Sequence, residues 1–193
     1  NSNIIFGSEP GNEVSLVQTG TAATFDAGSS SLQLLQNLTL QSNSELVFQS
    51  LDLNSRELTL ANETSDLSLK NQLILDEASE KIITGTADLK LEGGIQMSAG
   101  EITSTGGKIT LSETSPNLFQ NDAVLELLNT NLESAGSGDS ILTLDGEPNL
   151  SMNGGSITRI TLERTEGTVG TISTRGEVTC LASCQGFDEN GSY

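Results

Sequence analysis

The fold of this chain is decided by residues 89–111, which read LKLEGGIQMSAGEITSTGGKITL. The segment begins and ends with the same three-residue unit, in which two large aliphatic side chains flank a polar one. In a β-strand, residues i and i+2 point to the same face, so each unit sends two side chains inward and one outward. Glycine, serine and threonine fill the intervals, and these residues are typical of turns. The segment therefore predicts short strands separated by tight turns.

The same unit recurs along most of the chain at a nearly fixed distance. Leu38 and Leu40 are followed 20 residues later by Leu58 and Leu60. Such a period predicts a β-solenoid, with coils of roughly 18–22 residues and roughly eight or nine coils in all. The units are Leu38-Thr39-Leu40, Leu46-Val47-Phe48, Leu58-Thr59-Leu60, Leu67-Ser68-Leu69, Leu73-Ile74-Leu75, Leu89-Lys90-Leu91, Ile109-Thr110-Leu111, Leu125-Glu126-Leu127, Leu142-Thr143-Leu144 and Ile160-Thr161-Leu162.

The alternation predicts which side chains form the core of a parallel β-helix. The inward set is Leu38, Leu40, Leu58, Leu60, Leu89, Leu91, Ile109 and Leu111, and the outward set is Thr39, Thr59, Lys90 and Thr110. Paired glycines at 93–94, 106–107 and 154–155 predict corners, because glycine adopts a positive φ without steric cost.

Two other interpretations of the same pattern stay open at this level. Residues 122–132 carry leucines that also fit helical spacing, although Leu125-Glu126-Leu127 favours a strand. An antiparallel β-sandwich or jelly roll would also show short alternating strands. It would usually contain more aromatic core residues than the 3% found here, and turns at closer intervals. We therefore favour the parallel solenoid.

Composition limits the partners that the chain can bind. The 26 acidic and 8 basic residues give a net charge of −18, which opposes binding to nucleic acid or to an anionic membrane surface. No apolar stretch approaches the roughly 20 residues that a membrane helix needs. The charge itself serves solubility in the simplest interpretation, and divalent-cation binding is the alternative.

The chain is expected to form one domain over residues 1–193. Residues 1–31 form an entry or cap region, 32–179 the coils and 180–193 an exit loop. The exit contains both cysteines, Cys180 and Cys184. With no histidine and no second cysteine pair, a local disulfide is a better interpretation than a zinc site, and it indicates an oxidising compartment. Four extended residues span about 13 Å, so the segment between the cysteines must curl to close the bridge.

The segment Gly100–Leu111 resembles the repeat of filamentous-haemagglutinin-type secreted proteins. Those repeats alternate Gly-x-Ile with Gly-Gly-x-Ile-x-Leu, as in Gly100-Glu101-Ile102 and Gly106-Gly107-Lys108-Ile109-Thr110-Leu111. The resemblance implies a right-handed parallel β-helix in a bacterial protein that is secreted or held at the cell surface. It further implies a role in adhesion, biofilm or surface structure.

The sequence gives little support for catalysis or cofactor binding. Without histidine there is no Ser–His or Cys–His nucleophile, and no phosphate-binding glycine loop precedes a helix. Paired acids on a β-helix can cleave sugars, but we expect the acids here to be solvated turn residues: Asp52, Asp66, Asp76, Asp88 and Asp145. No catalytic, cofactor or metal residue is predicted. Asp188-Glu189-Asn190-Gly191 offers calcium-type ligands, although a solvated tail is the simpler interpretation.

These features favour an extracellular structural protein that assembles with itself head to tail into a filament or matrix. An adhesin stalk that binds cell-surface glycans or a host surface is the alternative, and a polysaccharide-active enzyme is a third hypothesis. The candidate assembly contact is the apolar patch Ile4, Ile5 and Phe6, which would pair with a neighbour's strands. The competing interpretation is that this patch folds back and caps its own first coil.

Overall fold

A computed structural model of the chain describes residues 3–6, 14–17, 25–42, 45–61 and 65–186, with side chains from residue 26 onward. These residues contain strands, turns and bends but no helix. The first twelve strands, in chain order, are Asn3–Phe6 (β1), Val14–Val17 (β2), Phe25–Asp26 (β3), Ser31–Leu34 (β4), Leu38–Gln41 (β5), Leu46–Phe48 (β6), Ser50–Asp52 (β7), Glu57–Leu60 (β8), Leu67–Leu69 (β9), Leu73–Leu75 (β10), Lys81–Gly85 (β11) and Leu89–Leu91 (β12).

Eleven more strands complete the described part of the chain. They are Ile95–Met97 (β13), Glu101–Ser104 (β14), Lys108–Leu111 (β15), Asn117–Gln120 (β16), Val124–Ser134 (β17), Ser140–Asp145 (β18), Asn149–Thr158 (β19), Ile160–Arg164 (β20), Thr171–Arg175 (β21), Thr179–Cys180 (β22) and Cys184–Gln185 (β23).

The strands form three parallel stacks, and the chain visits the stacks in turn. Stack 1 contains β1, β4 and β7, and continues with β10, β13, β16, β18, β20 and β23. Stack 2 runs from β2 through β5, β8, β11 and β14 into the first halves of β17 and β19, and then to β21. Stack 3 runs from β3 through β6, β9, β12 and β15 into the second halves of β17 and β19, and then to β22. The result is a parallel β-solenoid of about seven turns, which confirms the predicted fold class.

The predicted inward side chains form the core. The eight predicted residues are at most 2% exposed, and they belong to one continuous aliphatic cluster that runs the length of the stack. In the outward set, Lys90 is exposed, while Thr39 and Thr59 are half-buried. Thr110 is covered more than predicted, at 8% exposed, because its neighbours in register, Lys90 and Glu133, carry long side chains. The period-2 alternation therefore gives the right face, while the stacked neighbours decide the exposure.

The lengths of the coils vary along the stack. In an early coil Leu32 pairs with Leu51, whereas in a late coil Leu125 pairs with Leu150, which lies a longer distance along the chain. The late coil has as many residues outside strands as the early one, and its additional residues lie in the long strand β17, which passes through stacks 2 and 3, and in β18. The distance between paired residues therefore drifts along the chain.

The corners contain glycine because the backbone there has a positive φ, as predicted, and leaves no room for a side chain. Gly107 has φ of 65°, and a Cβ placed on it would lie 2.5 Å from the Thr86 carbonyl oxygen. Gly155 has φ of 91°, and its Cβ would lie 2.1 Å from the Thr130 carbonyl oxygen. Any side chain at either position would therefore push neighbouring coils apart.

The leucines of residues 122–132 lie in β17, which confirms the strand interpretation over the helical one.

Candidate functional site

The cysteine pair closes a corner of the last coil. Cys180 in β22 pairs with Ile157, and Cys184 in β23 pairs with Ile160, so the two cysteines belong to adjacent stacks. Their Cα atoms lie 6.1 Å apart, within the range that a disulfide requires, and the two sulfur atoms are bonded. The segment between them leaves the strands, and its Leu181 is 66% exposed. The predicted pair and the predicted curl are both confirmed at this corner.

The corner loop is also held to the coil before it. The Ser183 hydroxyl donates to the Asp139 carboxylate at 2.7 Å, and the Ile160 N–H donates to the Ser183 carbonyl oxygen at 2.9 Å. The disulfide and these two bonds together fix the last corner between stacks 3 and 1.

The backbone of the apolar patch at the other end belongs to the first coil. Ile4, Ile5 and Phe6 lie in β1, which pairs with β4 of the same chain, Ile4 beside Leu32 and Phe6 beside Leu34. This placement agrees with the interpretation in which the patch covers its own coil. The side chains of the patch lie outside the described residues. The opposite edge of β1 has no strand partner within the described part of the chain.

The candidate acids lie at corners and do not converge on one point. Asp52, Asp76 and Asp145 lie at the ends of stack-1 strands in different coils. Asp52 accepts the amide of Gln33 at 2.8 Å, and Asp145 accepts the amide of Gln120 at 2.8 Å and the Thr165 hydroxyl at 2.5 Å. The hydrogen bonds from Thr165 and Gln120 lower the pKa of Asp145. These hydrogen bonds link neighbouring coils, so the two carboxylates help to stabilise the stack.

Asp66 and Asp88 differ because they stack on adjacent coils. The Asp88 backbone N–H donates to the Asp66 carboxylate at 2.9 Å. Burial raises the pKa of Asp88, and the nearby negative charge of Asp66 raises it further, while Lys108 opposes both effects. The charged side chains of Asp66, Asp88 and Lys108 therefore follow one another on successive coils of the stack.

All four lysines of the chain pair with glutamates of the solenoid surface. Lys70 and Lys90 contact Glu92 at 2.6 and 3.2 Å. Partial burial would raise the pKa of Glu92, but the hydrogen bonds from these lysines outweigh it and lower that pKa. The remaining pairs are Lys81 with Glu101 at 2.7 Å and Lys108 with Glu133 at 3.2 Å. The hydrogen bond between Lys81 and Glu101 raises the pKa of the first and lowers that of the second.

The arginines have a different distribution, which the sequence reasoning missed. Three of the four, Arg159, Arg164 and Arg175, lie in the last described coils. The N-terminal part of the chain, up to Ser55, contains no lysine or arginine, and its acids are Glu9, Glu13, Asp26, Glu45 and Asp52. The two ends of the stack therefore differ in charge, and counting basic residues along the sequence would have found this difference.

No group of three or more metal-ligating side chains comes together among the described residues. The candidate calcium segment Asp188-Glu189-Asn190-Gly191 lies outside them. The same part of the chain has no helix long and apolar enough to cross a membrane.

The chain was compared with protein-family models, curated proteins and solved structures, and no match was found in any of the three. The geometry of the solenoid itself is therefore the basis for inferring its function.

The candidate binding surfaces of the described solenoid are the strand edges at its two ends. Strands β21 and β22 each pair on one side only, while β23 pairs with Ile160 and Thr161 of β20 and Gly186 after it lies against the Leu162 carbonyl oxygen. At the other end β1, β2 and β3 likewise have one partner each. An unpaired edge presents a row of N–H and C=O groups that another strand can satisfy. Recognition by backbone pairing is the chemistry that this arrangement offers.

Proposed function

We propose that this protein is an extracellular structural protein, a subunit that assembles with itself head to tail into a surface filament or matrix. The observation that carries the proposal is the pair of ends of the described stack, where strands β1, β2 and β3 at one end and β21 and β22 at the other each pair on one side only among the described residues, and all strands run in the same direction. Contact between unlike ends is heterologous, and it propagates into a filament unless the rotation closes a ring.

The surface chemistry of the described coils agrees with a structural role. Three of the four lysines form ion pairs between coils, Asp52 and Asp145 accept hydrogen bonds from neighbouring coils, and no catalytic constellation appears among the described side chains. Solenoids that stay monomeric need end coils with polar outer faces. Here the edge strand β21 leaves the apolar Ile172 only half-buried.

An extracellular location is part of the proposal and is supported by the cysteine pair. A bridge between Cys180 and Cys184 forms and persists in an oxidising compartment. The resemblance of residues 100–111 to filamentous-haemagglutinin-type repeats supports the finer statement that the solenoid is right-handed and belongs to a bacterial surface.

Electron microscopy and light scattering of the purified protein test the proposal. We expect filaments that grow longer as ionic strength or divalent-cation concentration rises, because the net charge of −18 repels copies in low salt. A monodisperse monomer at all salt and calcium concentrations would overturn the assembly function and leave the adhesin interpretation. Deletion of residues 1–6 tests the N-terminal patch. Filaments of unchanged geometry after the deletion would show that Ile4, Ile5 and Phe6 are not in the contact.

A further inference from the structure

Two asparagines of the described chain begin the sequence Asn-x-Ser/Thr, the sequon to which N-linked glycans are attached. They are Asn37 and Asn149. Two further sequons, at Asn62 and Asn190, lie outside the described residues. Four sequons are about the number that the asparagine, serine and threonine content gives by chance, so the count alone is not evidence of glycosylation. The fold adds evidence, because it places the two described sequons in equivalent positions.

Both asparagines lie where the chain enters stack 2. Asn37 directly precedes β5, and Asn149 is the first residue of β19. The Glu57 N–H donates to Asn37 Oδ1 at 3.0 Å, which places Asn37 beside Glu57 in the next coil. From there the strand pairings lead to Asn149, so that one outward row of successive coils consists of Asn37, Glu57, Lys81, Glu101, Val124 and Asn149. The two sequons are therefore five strand spacings apart on one face, about 24 Å.

The alternation of the strands directs each acceptor side chain away from the core. Asn37 and Asn149 are both exposed, while the leucine that follows each of them is at most 2% exposed. The sequon hydroxyls, on Thr39 and Ser151, lie two positions further on and therefore belong to the same outer face as the asparagines. A glycan at either asparagine would extend into solvent and leave the aliphatic core undisturbed.

The two side-chain amides use their oxygen atoms in the fold and leave their nitrogen atoms available. Asn37 Oδ1 accepts the Glu57 N–H, and Asn149 Oδ1 accepts the Thr171 hydroxyl at 3.1 Å. Neither Nδ2 donates to a group of the described residues. Nδ2 is the atom that carries the sugar in an N-linked glycan. Because attachment there leaves Oδ1 in place, both hydrogen bonds between coils persist in a glycosylated protein.

We propose that Asn37 and Asn149 are N-glycosylated, so that the outer face of stack 2 carries two glycans. The donor is an oligosaccharide on a polyprenyl diphosphate. The anomeric carbon of its first sugar forms a bond to Nδ2 as its bond to the diphosphate breaks, and the amide loses one proton. The inference rests on the extracellular location in the proposed function, because such lipid-linked donors act on proteins during export.

Glycans at these positions are compatible with head-to-tail assembly. The side chains of a strand stand roughly perpendicular to the sheet, so both glycans extend sideways from the stack and leave its two ends accessible. The outer face of stack 1 also stays uncovered, and it carries the exposed aliphatic side chains of Ile74 and Ile141. The glycans therefore restrict side-by-side contacts between subunits to the other two faces.

Mass spectrometry of peptides from the native protein, isolated from its source, tests the proposal. We expect glycan masses on the peptides that contain Asn37 and Asn149. Asn131 is the matched control, because it is exposed and its Oδ1 accepts the Ser156 hydroxyl at 2.8 Å, but Glu133 stands where a sequon has its hydroxyl. An unmodified peptide at either sequon, or a glycan at Asn131 as well, would overturn the proposal.

Variants made in a host that glycosylates Asn-x-Ser/Thr test whether the hydroxyl selects the site. We expect Ser151→Ala to lose the glycan at Asn149 completely and Ser151→Thr to keep it. Thr39→Ala and Thr39→Ser should behave in the same way at Asn37. Glycans that persist in the alanine variants would overturn the assignment to sequons.

The same samples separate this proposal from the proposed assembly. Filaments in electron microscopy whose subunits carry no glycan would overturn glycosylation and leave the assembly intact. Glycosylated protein that stays monomeric in light scattering would overturn the assembly and support glycosylation. Unmodified asparagines together with free thiols at Cys180 and Cys184 in the native protein would overturn both glycosylation and the extracellular location.

Discussion

At the residue scale, the fold places the Asp88 carboxyl group in surroundings that disfavour its charged form. Its pKa is raised, chiefly by burial and then by Asp66. Protonation therefore favours the folded state. The stability from this group is present below the unfolded value near 3.8 and is lost as pH rises through the raised folded pKa.

We expect Asp88→Asn to stabilise the protein at pH 7 by on the order of 0.5 kcal/mol. The Asp88 carboxylate accepts a hydrogen bond from the Lys108 backbone N–H, and an asparagine oxygen can still accept it without carrying a charge. The gain over wild type should shrink as pH falls to 4, since the wild-type carboxyl is then more protonated. Thermal unfolding of both proteins at pH 4 to 8 measures this difference. Asp52→Asn is the control at an exposed position, and a gain that does not vary with pH would contradict the assignment.

Glu92 and Glu101 act in the opposite sense. Partial burial opposes the two lysine hydrogen bonds at Glu92, yet its pKa is lowered overall, and the hydrogen bond from Lys81 lowers that of Glu101. Their contribution to stability is present above the unfolded value near 4.5 and is lost as pH falls through the lowered folded pKa. Lowering the pH therefore weakens these contacts between coils, and at the same time it removes the unfavourable charge of Asp88.

The core row tolerates no charge. Leu60 is 2% exposed within the aliphatic cluster, whereas Thr59 beside it is outward. We expect Leu60→Asp to cost at least about 3 kcal/mol, because it buries a carboxylate with no partner. Thr59→Asp is the matched control and should cost less than about 1 kcal/mol. Urea denaturation of the two variants checks this prediction, and equal costs would contradict the assigned faces.

At the scale of elements, corners decide how the coils fit. The corner before β11 closes around Glu80, which is 5% exposed. Its carboxylate accepts the N–H groups of Asp76 at 2.9 Å and Glu77 at 3.3 Å. We expect Glu80→Ala to cost about 2–3 kcal/mol because it leaves these donors without an acceptor. Glu80→Gln keeps one acceptor oxygen and should cost less. Equal losses in chemical denaturation would show that the corner does not depend on the acceptor.

The disulfide fixes the corner between β22 and β23. It closes a short loop, for which the chain-entropy estimate is about 2 kcal/mol at 25 °C. We expect reduction to loosen the last coil while the other coils stay folded, since each coil contacts only its neighbours. Hydrogen exchange of native and reduced protein should show faster exchange confined to β21–β23. Faster exchange throughout the stack would contradict this expectation.

At the scale of the whole molecule, the net charge of −18 sets the response to salt. Exposed acids repel one another across about the Debye length, and salt screens this repulsion more than it screens the four close ion pairs. We expect raising NaCl from about 20 mM to about 500 mM to increase the melting temperature by a few degrees. Submillimolar calcium chloride added at constant NaCl concentration is the control. A large increase in melting temperature on that addition would show a specific cation site.

The strand phase and the fold class could be predicted from the sequence because they depend on local alternation. The unit at 89–91 shows its inward and outward positions without knowledge of any other coil, and its recurrence at a nearly fixed distance indicates coils. Asn117 shows the limit of this reasoning. It occupies an inward position, 2% exposed, in the row of Ile95 and Leu142. There its amide donates to the carbonyl oxygens of Ser112 at 2.8 Å and Ile141 at 3.1 Å.

The sequence by itself determined that this protein is a stack of short parallel strands with an aliphatic core, glycine corners and a cysteine-closed exit. Only the tertiary structure decided which residues of different coils meet. Corner lengths vary freely, so the register between coils is set by nonlocal pairing that no local pattern encodes. That register brings Asp66 beside Asp88 and assigns Ser15 and Ser173 to one row. The candidate site is a property of the two ends of the stack, and the ends are defined only after every coil is in place.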